Sequence, residues 1–262
     1  MNLRTALVTG ASSGIGRAVA LALAPRVERL ILAGRDRRRL EAVASLAGSC
    51  ARVEAGDLTQ AAELESLAAA VERETEALDV LVHAAGLFVG GMFADSDEEA
   101  LDAMWRINVR APHALTRRLL APLVRARGHL VLVNSGVLSN LRAGVGAYAA
   151  TKAALSAWTD CLRPELGPLG VRVLAIHPGR TATPMQEEVV RSLGGAYEPE
   201  ALIQPEDVAA AILHALDAPG TAEVTSLHLR PPWPRQEQLE IASDPASQRP
   251  PRLKSEGRSA EG

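Results

Sequence analysis

Aromatic side chains are scarce in this chain, at 3% of its residues, although 47% of the residues are hydrophobic. A core must therefore be built mainly from Ala, Val, Leu and Ile. The apolar fraction is sufficient for a substantial core, and 262 residues suit one α/β domain or two small domains.

Cysteine is almost missing as well. Cys50 and Cys161 are the only two, and their separation matches no metal-ligand or redox motif. We expect both to be free, buried thiols. No other set of residues has the spacing of a metal site, so we expect no metal ion.

The chain also lacks an excess of either charge and a long apolar run. Its formal net charge is −3 and its pI is 6.1, which gives no reason to expect nucleic acid or an anionic membrane as a partner. The longest uncharged stretch, between Asp79 and Asp95, is shorter than the roughly 20 residues needed to cross a bilayer. The first predicted strand begins too close to Met1 to leave room for a targeting signal. We therefore expect a cytoplasmic protein with no membrane partner.

Short β-branched or Leu-rich runs alternate with helical patterns. Several runs are apolar at consecutive positions, as expected for strands covered by helices on both faces. The predicted strands are Thr5–Thr9, Arg29–Ala33, Ala51–Glu54, Val80–His83, Leu130–Val133, Val171–Ile176 and Val224–Leu229. The predicted helices are Ile15–Leu23, Ala61–Glu74, Glu98–Val109, Pro112–Arg125, Tyr148–Leu166 and Glu206–Leu216. This order predicts an α/β fold, with a doubly wound parallel sheet of about seven strands in one domain.

Two of the predicted helices carry start signals. Ser96 and Glu99 have the spacing of a capping box, and Pro205 stands where a first helical turn tolerates proline.

The last part of the chain, residues 231–262, differs from the domain over residues 1–230. It is rich in Pro, Arg, Ser and Glu and shows no sustained periodicity. Too little apolar surface is available there to offset the entropy of ordering. We predict a mostly disordered tail.

A glycine-rich segment joins the first predicted strand to the first predicted helix. It reads Thr9-Gly10-Ala11-Ser12-Ser13-Gly14-Ile15-Gly16. Gly10 permits a tight turn, Gly14 lets the backbone approach a pyrophosphate, and Gly16 allows close packing of the helix. The free N–H groups and the positive dipole end of the helix would face the phosphates. In this position the motif predicts dinucleotide binding by a Rossmann-type fold.

The spacing G-x-x-x-G-x-G, together with Tyr148 and Lys152 in a Y-x-x-x-K motif, resembles the short single-domain branch of the short-chain dehydrogenase/reductase family. The resemblance covers roughly residues 4–230 and implies an oxidoreductase with a nicotinamide cofactor. It departs at His83-Ala84-Ala85-Gly86, where the family often has Asn-Asn-Ala-Gly. The backbone role of this segment can survive, but contacts from the two amide side chains cannot.

The resemblance implies the catalytic residues. Tyr148 would be the general acid and base, and Lys152, one helical turn away on the same face, would lower its pKa and hold the nicotinamide ribose. Ser135, thirteen residues before Tyr148, would polarise the substrate carbonyl. Asn108 would hold a water molecule in the proton relay.

The resemblance also implies the cofactor contacts. Asp57-Leu58 would contact adenine, and Thr183, which follows Pro178-Gly179, would bind the carboxamide or the phosphates. The full expected set is Gly10, Ser12, Ser13, Gly14, Ile15, Gly16, Arg35, Asp57, Leu58, Ala84, Ala85, Gly86, Asn108, Tyr148, Lys152, Pro178, Gly179, Thr181 and Thr183.

The end of the second predicted strand bears on the choice of cofactor. NAD-dependent members of the family usually place an Asp at the position of Gly34, where it would repel a 2′-phosphate. Arg35 follows instead and can meet that phosphate in a charge-assisted contact. We expect NADP(H) to be favoured over NAD(H), although Asp36 could swing into the NAD role.

The reaction expected is reduction of a small-molecule carbonyl, or the reverse oxidation of an alcohol. Two alternatives stay open, namely a reductase of C=C or C=N bonds and a non-catalytic NADP-binding regulatory protein. Residues 185–204 would cover the substrate, with apolar Val189, Val190 and Leu193 before a hinge-like Gly194-Gly195. The family's use of the helices that follow Pro112 and carry Tyr148 for isologous contacts implies a homodimer or homotetramer.

Deletion of residues 231–262 should leave the fold and the cofactor affinity nearly unchanged, because no motif lies there and Pro-rich polar segments rarely join a core. The melting temperature and the dissociation constant for NADPH, measured on the truncated and full chains, check this. A large drop in the melting temperature would show that the tail packs on the domain or on a partner subunit.

Overall fold

Seven parallel strands form one sheet in the order β3-β2-β1-β4-β5-β6-β7 in the computed structural model, which describes residues 3–192 and 195–232. The strands are β1 (Thr5–Thr9), β2 (Arg29–Gly34), β3 (Ala51–Ala55), β4 (Val80–His83), β5 (His129–Val133), β6 (Arg172–Pro178) and β7 (Ser226–Leu229). All seven predicted strands are present, with ends shifted by at most two residues. The predicted Rossmann-type fold is confirmed.

Helices cover both faces of the sheet. They are α1 (Gly14–Leu23), α2 (Arg37–Ala47), α3 (Ala61–Glu74), α4 (Glu98–Trp105), α5 (Ala111–Arg118), α6 (Leu120–Ala126), α7 (Gly146–Leu166), α8 (Pro184–Ser192) and α9 (Pro205–Leu216). Two of them, α2 and α8, were not among the predicted helices. Only Leu40 and Val43 of α2 are buried, so its apolar stripe is too narrow to give a clear helical period.

The core consists of two apolar layers separated by the sheet. Val8 of β1 faces the layer that contains α1 and α9, whereas its neighbour Leu7 faces the layer that contains α3, α5 and α7. Every residue of β1 is buried, as the consecutive apolar pattern predicts for a central parallel strand. Full burial of each such Leu or Val contributes about 1.5–3 kcal/mol, which makes the central strands the rigid support of the loops at their ends.

The segment between β4 and β5 departs from the two predicted helices. Helix α4 passes through a π-helical turn, Arg106–Arg110, directly into α5, without the predicted break. The second predicted helix, Pro112–Arg125, is instead interrupted at Leu119. Pro122 explains the interruption, because it has no N–H to donate to the carbonyl of Arg118 and its ring crowds that carbonyl.

Two smaller expectations are wrong. Helix α4 is capped by Asp97, whose carboxylate accepts a hydrogen bond from Glu99 N at 2.9 Å, while Ser96 Oγ donates to Phe93 O. An Asp at this position also places a negative charge at the positive end of the helix dipole. Both cysteines are free, but Cys161 is exposed and Cys50 only half-buried. Pro205 does begin α9, as predicted.

The described residues up to Arg230 form one compact unit. The predicted disordered tail lies, from residue 233 onward, outside the described residues. Across 3–192 and 195–232, no helix is both long enough and apolar enough to span a bilayer.

Two buried histidines couple the stability of the fold to pH. Burial lowers the pKa of His83 to about 3 and that of His129 to about 4, from an ordinary 6.5. His83 lies within hydrogen-bond distance of Thr116, with 2.8 Å between Nε2 and Oγ1. The unfolded chain takes up a proton on each ring near pH 6.5, whereas the folded chain does so only at much lower pH. Stability therefore falls as the pH falls below 6.5 towards the two lowered values.

Replacement His83→Gln should make the free energy of unfolding less dependent on pH between pH 6 and 4.5, by about 1.4 kcal/mol per pH unit, because one buried titrating group is removed. Urea unfolding at several pH values measures the slope. The exposed His214→Gln serves as the matched control and should keep the wild-type slope. An unchanged slope in His83→Gln would show that His83 is charged in the folded protein.

Candidate active site

A cleft of about 1240 Å³ runs along the carboxyl ends of the central strands. It lies where the strand order reverses between β1 and β4, which is the place where open parallel sheets bind ligands. Of the residues predicted for the site, all except Asn108 border this cleft. Among the bordering residues that the sequence analysis did not single out are Phe88, Arg142, His177 and Arg180.

The glycine loop between β1 and α1 has no room for a side chain at any of its three glycines. Gly10 and Gly14 have φ values of 66° and 52°, in the left-handed region. A Cβ atom on Gly10 would lie 2.7 Å from Ala85 N, and one on Gly16 would lie 2.3 Å from Gly10 O. On the outer side of the loop, Thr183 would be 3.0 Å from a Cβ atom on Gly14. The loop is therefore held between the segment after β4 and the segment after β6.

The start of α1 fits a phosphate group. Ser13 is the N-cap residue, and its side chain caps no N–H group. Among the described residues, no acceptor is found for the N–H groups of Gly14, Ile15 and Gly16. Such unpaired N–H groups at a helix N-terminus, with the positive dipole end behind them, are suited to bind a pyrophosphate.

The segment after β4 is fixed from both sides. Thr9 Oγ1 accepts hydrogen bonds from Ala84 N and Ala85 N, at 3.2 and 3.3 Å. Asn108, which is 1% exposed, pairs with both backbone groups of Leu87 at 2.9 Å. Its amide nitrogen also donates to Thr151 Oγ1 at 3.1 Å. Through these contacts Asn108, which lies in the π-helical turn, supports the wall of the cleft. Its role in a proton relay stays a prediction.

At the far end of β2, the residues on which the predicted choice of cofactor rests lie at the cleft. Arg35 is exposed and has no ion pair with a described residue. Asp36 is engaged elsewhere, since it caps α2 by accepting from Arg39 N at 3.0 Å and pairs with the Arg39 guanidinium at 3.2 Å. A Cβ atom on Gly34 would meet Leu40 only at 3.7 Å, an ordinary contact.

Asp57 and Leu58 border the cleft beside these residues. Asp57 Oδ1 accepts from both Thr59 N and Thr59 Oγ1 at 2.9 Å, and Leu58 is buried. The contact of this pair with an adenine ring stays a prediction.

Tyr148 and Lys152 lie one turn apart near the start of α7. Lys152 Nζ donates to Val133 O at 3.0 Å and is 5.7 Å from the centroid of the Tyr148 ring. Burial lowers the pKa of Lys152 to about 8. An ammonium group has three N–H donors, and only one of these has an acceptor among the described residues, so Lys152 can still hold ribose hydroxyl groups.

Burial raises the pKa of Tyr148, and a hydrogen bond with the Ser135 side chain acts in the opposite direction. Lys152 is not among the causes of this shift, so the lowering of the Tyr148 pKa that was expected from Lys152 stays a prediction. Phe88 contacts the Tyr148 ring edge to face, with 4.9 Å between centroids and 67° between planes. Ser135 Oγ accepts from Val137 N at 3.1 Å, which fixes its position beside the phenol.

The segment after β6 closes the cleft. Thr181 Oγ1 donates to Gly179 O at 3.0 Å, and Thr183 Oγ1 accepts from Gln186 N at 3.2 Å, which caps the start of α8. Helix α8 occupies the first part of the predicted covering loop, and Met185 and Val189 border the cleft from it. Of the predicted hinge region, Leu193 and Gly194 lie outside the described residues.

Comparison with known proteins agrees with this arrangement. A sequence model of the family described as short chain dehydrogenase matches residues 4–193. An uncharacterised short-chain type dehydrogenase/reductase of Sinorhizobium fredii is 38% identical over 233 residues, which are 86% of this chain and 90% of that protein.

Solved structures show the same fold with a bound cofactor. An alcohol dehydrogenase from the archaeon Thermococcus sibiricus, complexed with 5-hydroxy-NADP, matches with a TM-score of 0.80 and 27% identity over 88% of this chain and 98% of that one. A variant of the actinorhodin polyketide ketoreductase with NADPH matches with a TM-score of 0.79 and 26% identity, over 87% and 96% of the two chains.

The family match spans most of the described domain, and the glycine loop and the Tyr148–Lys152 pair lie at one cleft. This chain belongs to the short-chain dehydrogenase/reductase family of oxidoreductases.

Proposed function

We propose that this enzyme reduces the carbonyl group of a small molecule with NADPH, or oxidises the corresponding alcohol with NADP⁺. The observation that carries the proposal is the placement of Tyr148, Lys152 and Ser135 at the same cleft as the glycine loop and Arg35. The two solved relatives with NADP-type cofactors support it.

The chemistry needs a hydride at the carbonyl carbon and a proton at the carbonyl oxygen. A bound nicotinamide supplies the hydride. Tyr148 donates the proton, and the raised pKa of its hydroxyl keeps that proton in place at neutral pH until charge develops on the substrate. Ser135, which borders the same cleft as Tyr148, positions the carbonyl oxygen.

Lys152 serves two purposes in this proposal. Its free N–H donors hold the nicotinamide ribose, and its positive charge stabilises the phenolate that remains after the proton has left. Lys152 is buried beside Val133, so few other groups compete for its donors. In alcohol oxidation the same groups act in reverse order, with Tyr148 as the base.

The alternatives predict different behaviour. A non-catalytic regulator needs the glycine loop and Arg35 but has no use for Ser135, Tyr148 and Lys152 at one cleft. A reductase of C=C or C=N bonds would leave carbonyl compounds unreduced. Turnover of any aldehyde or ketone therefore separates the leading proposal from both.

NADP(H) rather than NAD(H) is the proposed cofactor because the exposed guanidinium of Arg35 has no carboxylate partner among the described residues. Asp36 is held by its cap and its ion pair on α2, which counts against an NAD role. We also propose that the protein forms a homodimer or a homotetramer and that it is cytoplasmic, as the sequence analysis inferred.

Tyr148→Phe should lower kcat by about 10²–10⁴, because the proton donor is lost while the ring that packs against Phe88 is kept. Its affinity for NADPH should stay near that of the wild type, whereas Lys152→Ala should lose both turnover and affinity. Steady-state kinetics and NADPH titration measure the two effects. Tyr197→Phe alters the other tyrosine of the chain and is the matched control, with kcat unchanged. A kcat in Tyr148→Phe above about a tenth of wild type would exclude the acid–base role.

The wild type should prefer NADPH over NADH by roughly 10- to 100-fold in kcat/KM, since a charge-assisted contact contributes about 1.5–3 kcal/mol. Gly34→Asp combined with Arg35→Ala should reverse the preference, and the structure has room for a side chain at position 34. Arg38→Ala removes a charge of the same sign from the same helix start, away from the cleft, and should change the ratio little. Equal values for the two cofactors in the wild type would refute the assignment.

A further inference from the structure

Two arginines, Arg142 and Arg180, border the same cleft as Ser135 and Tyr148. We propose that Arg142 and Arg180 bind an oxyanion of the substrate, a carboxylate or a phosphate, so that the substrate is a small carbonyl compound with an anionic group. This inference rests on the proposed function, which supplies the reacting carbonyl.

Arg180 follows Pro178-Gly179 at the end of β6. Its backbone is fixed, because Arg180 O accepts from Ile203 N at 3.1 Å and the next residue, Thr181, forms a bridge with Ile203. Its guanidinium group, in contrast, has no ion pair or hydrogen bond with any residue in the described ranges. The structure thus positions a half-buried cation at the cleft without giving it a partner.

Arg142 reaches the cleft from the segment between β5 and α7. That segment is attached to the cleft wall through Gly144 O, which accepts from Gly91 N at 2.9 Å. The side chain is exposed, and it too has no ion pair with a described residue. Burial and, to a smaller extent, the positive charge of Arg142 lower the pKa of Arg180, and both side chains border the same cleft.

Within residues 3–192 and 195–232, no carboxylate borders the cleft near these two arginines. The only acidic residues among those bordering the cleft in the described chain are Asp36 and Asp57. Both lie at the adenosine end, and both accept backbone hydrogen bonds there. Phe88 packs against the Tyr148 ring, and the apolar Val145 and Val189 border the same cleft.

Two unpaired guanidinium groups in a partly desolvated cleft are unfavourable unless an anion joins them, and the fork of Arg donors matches a carboxylate or phosphate. The cofactor phosphates have their own partners, namely the N–H groups at the start of α1 and, for the 2′-phosphate, Arg35. This leaves the substrate as the source of the anion.

The test uses the full chain with NADPH and a panel of oxo acids that have one to four methylene groups between the carbonyl and the carboxylate. Each acid is paired with its methyl ester, and phosphorylated carbonyl compounds are paired with their dephosphorylated forms. For at least one pair, kcat/KM should be 10- to 100-fold higher for the anion. Arg180→Gln should abolish that ratio and leave kcat/KM for the neutral partner within about threefold. Arg142→Gln should reduce the ratio less, because Arg142 is more exposed.

Binding provides a second readout that needs no turnover. The probe is the analogue of the preferred anion that has a methylene group in place of the carbonyl and therefore cannot react. It should bind the NADP⁺ complex of Arg180→Gln about tenfold more weakly than that of the wild type. The affinity of Arg180→Gln for NADPH should stay unchanged. Both variants should melt at or above the wild-type temperature, since each removes a like-charge neighbour. Arg73→Gln, an exposed charge at the end of α3 away from the cleft, is the control and should behave as wild type.

The outcomes separate this inference from the proposed function. If wild-type enzyme reduces the neutral partners as well as the anions, the carbonyl reductase stands and the anion site is wrong. A parallel loss of NADPH affinity in Arg180→Gln would assign the arginine to the cofactor and overturn the inference. Absence of any carbonyl reduction counts against the proposed function. The anion site is tested separately by binding, and it would be wrong if Arg180→Gln bound the non-reacting anion as tightly as the wild type does.

Discussion

The backbone of β1 approaches the backbone after β4 so closely at the carboxyl edge of the sheet that no side chain fits between them. A Cβ atom on Gly10 would lie 2.7 Å from Ala85 N, and Thr9 Oγ1 accepts hydrogen bonds from the two N–H groups beside it. The strand order reverses at this point, so the close approach defines the floor of the cleft. The position of α1, with its unpaired N–H groups, follows from the same contact, since Gly16 packs against Gly10 O.

Loss of solvent governs the other end of the cleft. It raises the pKa of Tyr148 and lowers that of Lys152, so each group is shifted towards its neutral form. A neutral phenol is ready to donate a proton, and a lysine with a pKa of about 8 is easily influenced by an anion or a ribose nearby. The same loss of solvent acts on the half-buried Arg180. A desolvated cation that has no partner among the described residues favours an anionic ligand.

Much of the fold was predictable because central parallel strands are buried on both faces. The central strands therefore appear in the sequence as runs of apolar residues, and all seven strands were located, including the partly exposed edge strands β3 and β7. Helix α2 was not predicted because only Leu40 and Val43 are buried along it. The continuous passage from α4 to α5 depends on a π-helical turn around Asn108, a feature that has no sequence period of its own.

The site was predictable where chemistry demands a particular residue at a particular spacing, as in the glycine loop and the Tyr148–Lys152 pair. Phe88, Arg142 and Arg180 reach the cleft from segments of irregular backbone, where neighbours in space are distant in sequence. The direction of the Tyr148 pKa shift could not be predicted from the sequence either, because it depends on the burial of the phenol.

The most direct test of carbonyl reduction by this protein follows the hydride from NADPH to the product. NADPH that is deuterated at the transferred position would be incubated with the enzyme and the carbonyl panel, and the products would be analysed by mass spectrometry. We expect an alcohol that contains one deuterium on the former carbonyl carbon. Tight NADPH binding without label in any alcohol would contradict this expectation and would favour a binding protein.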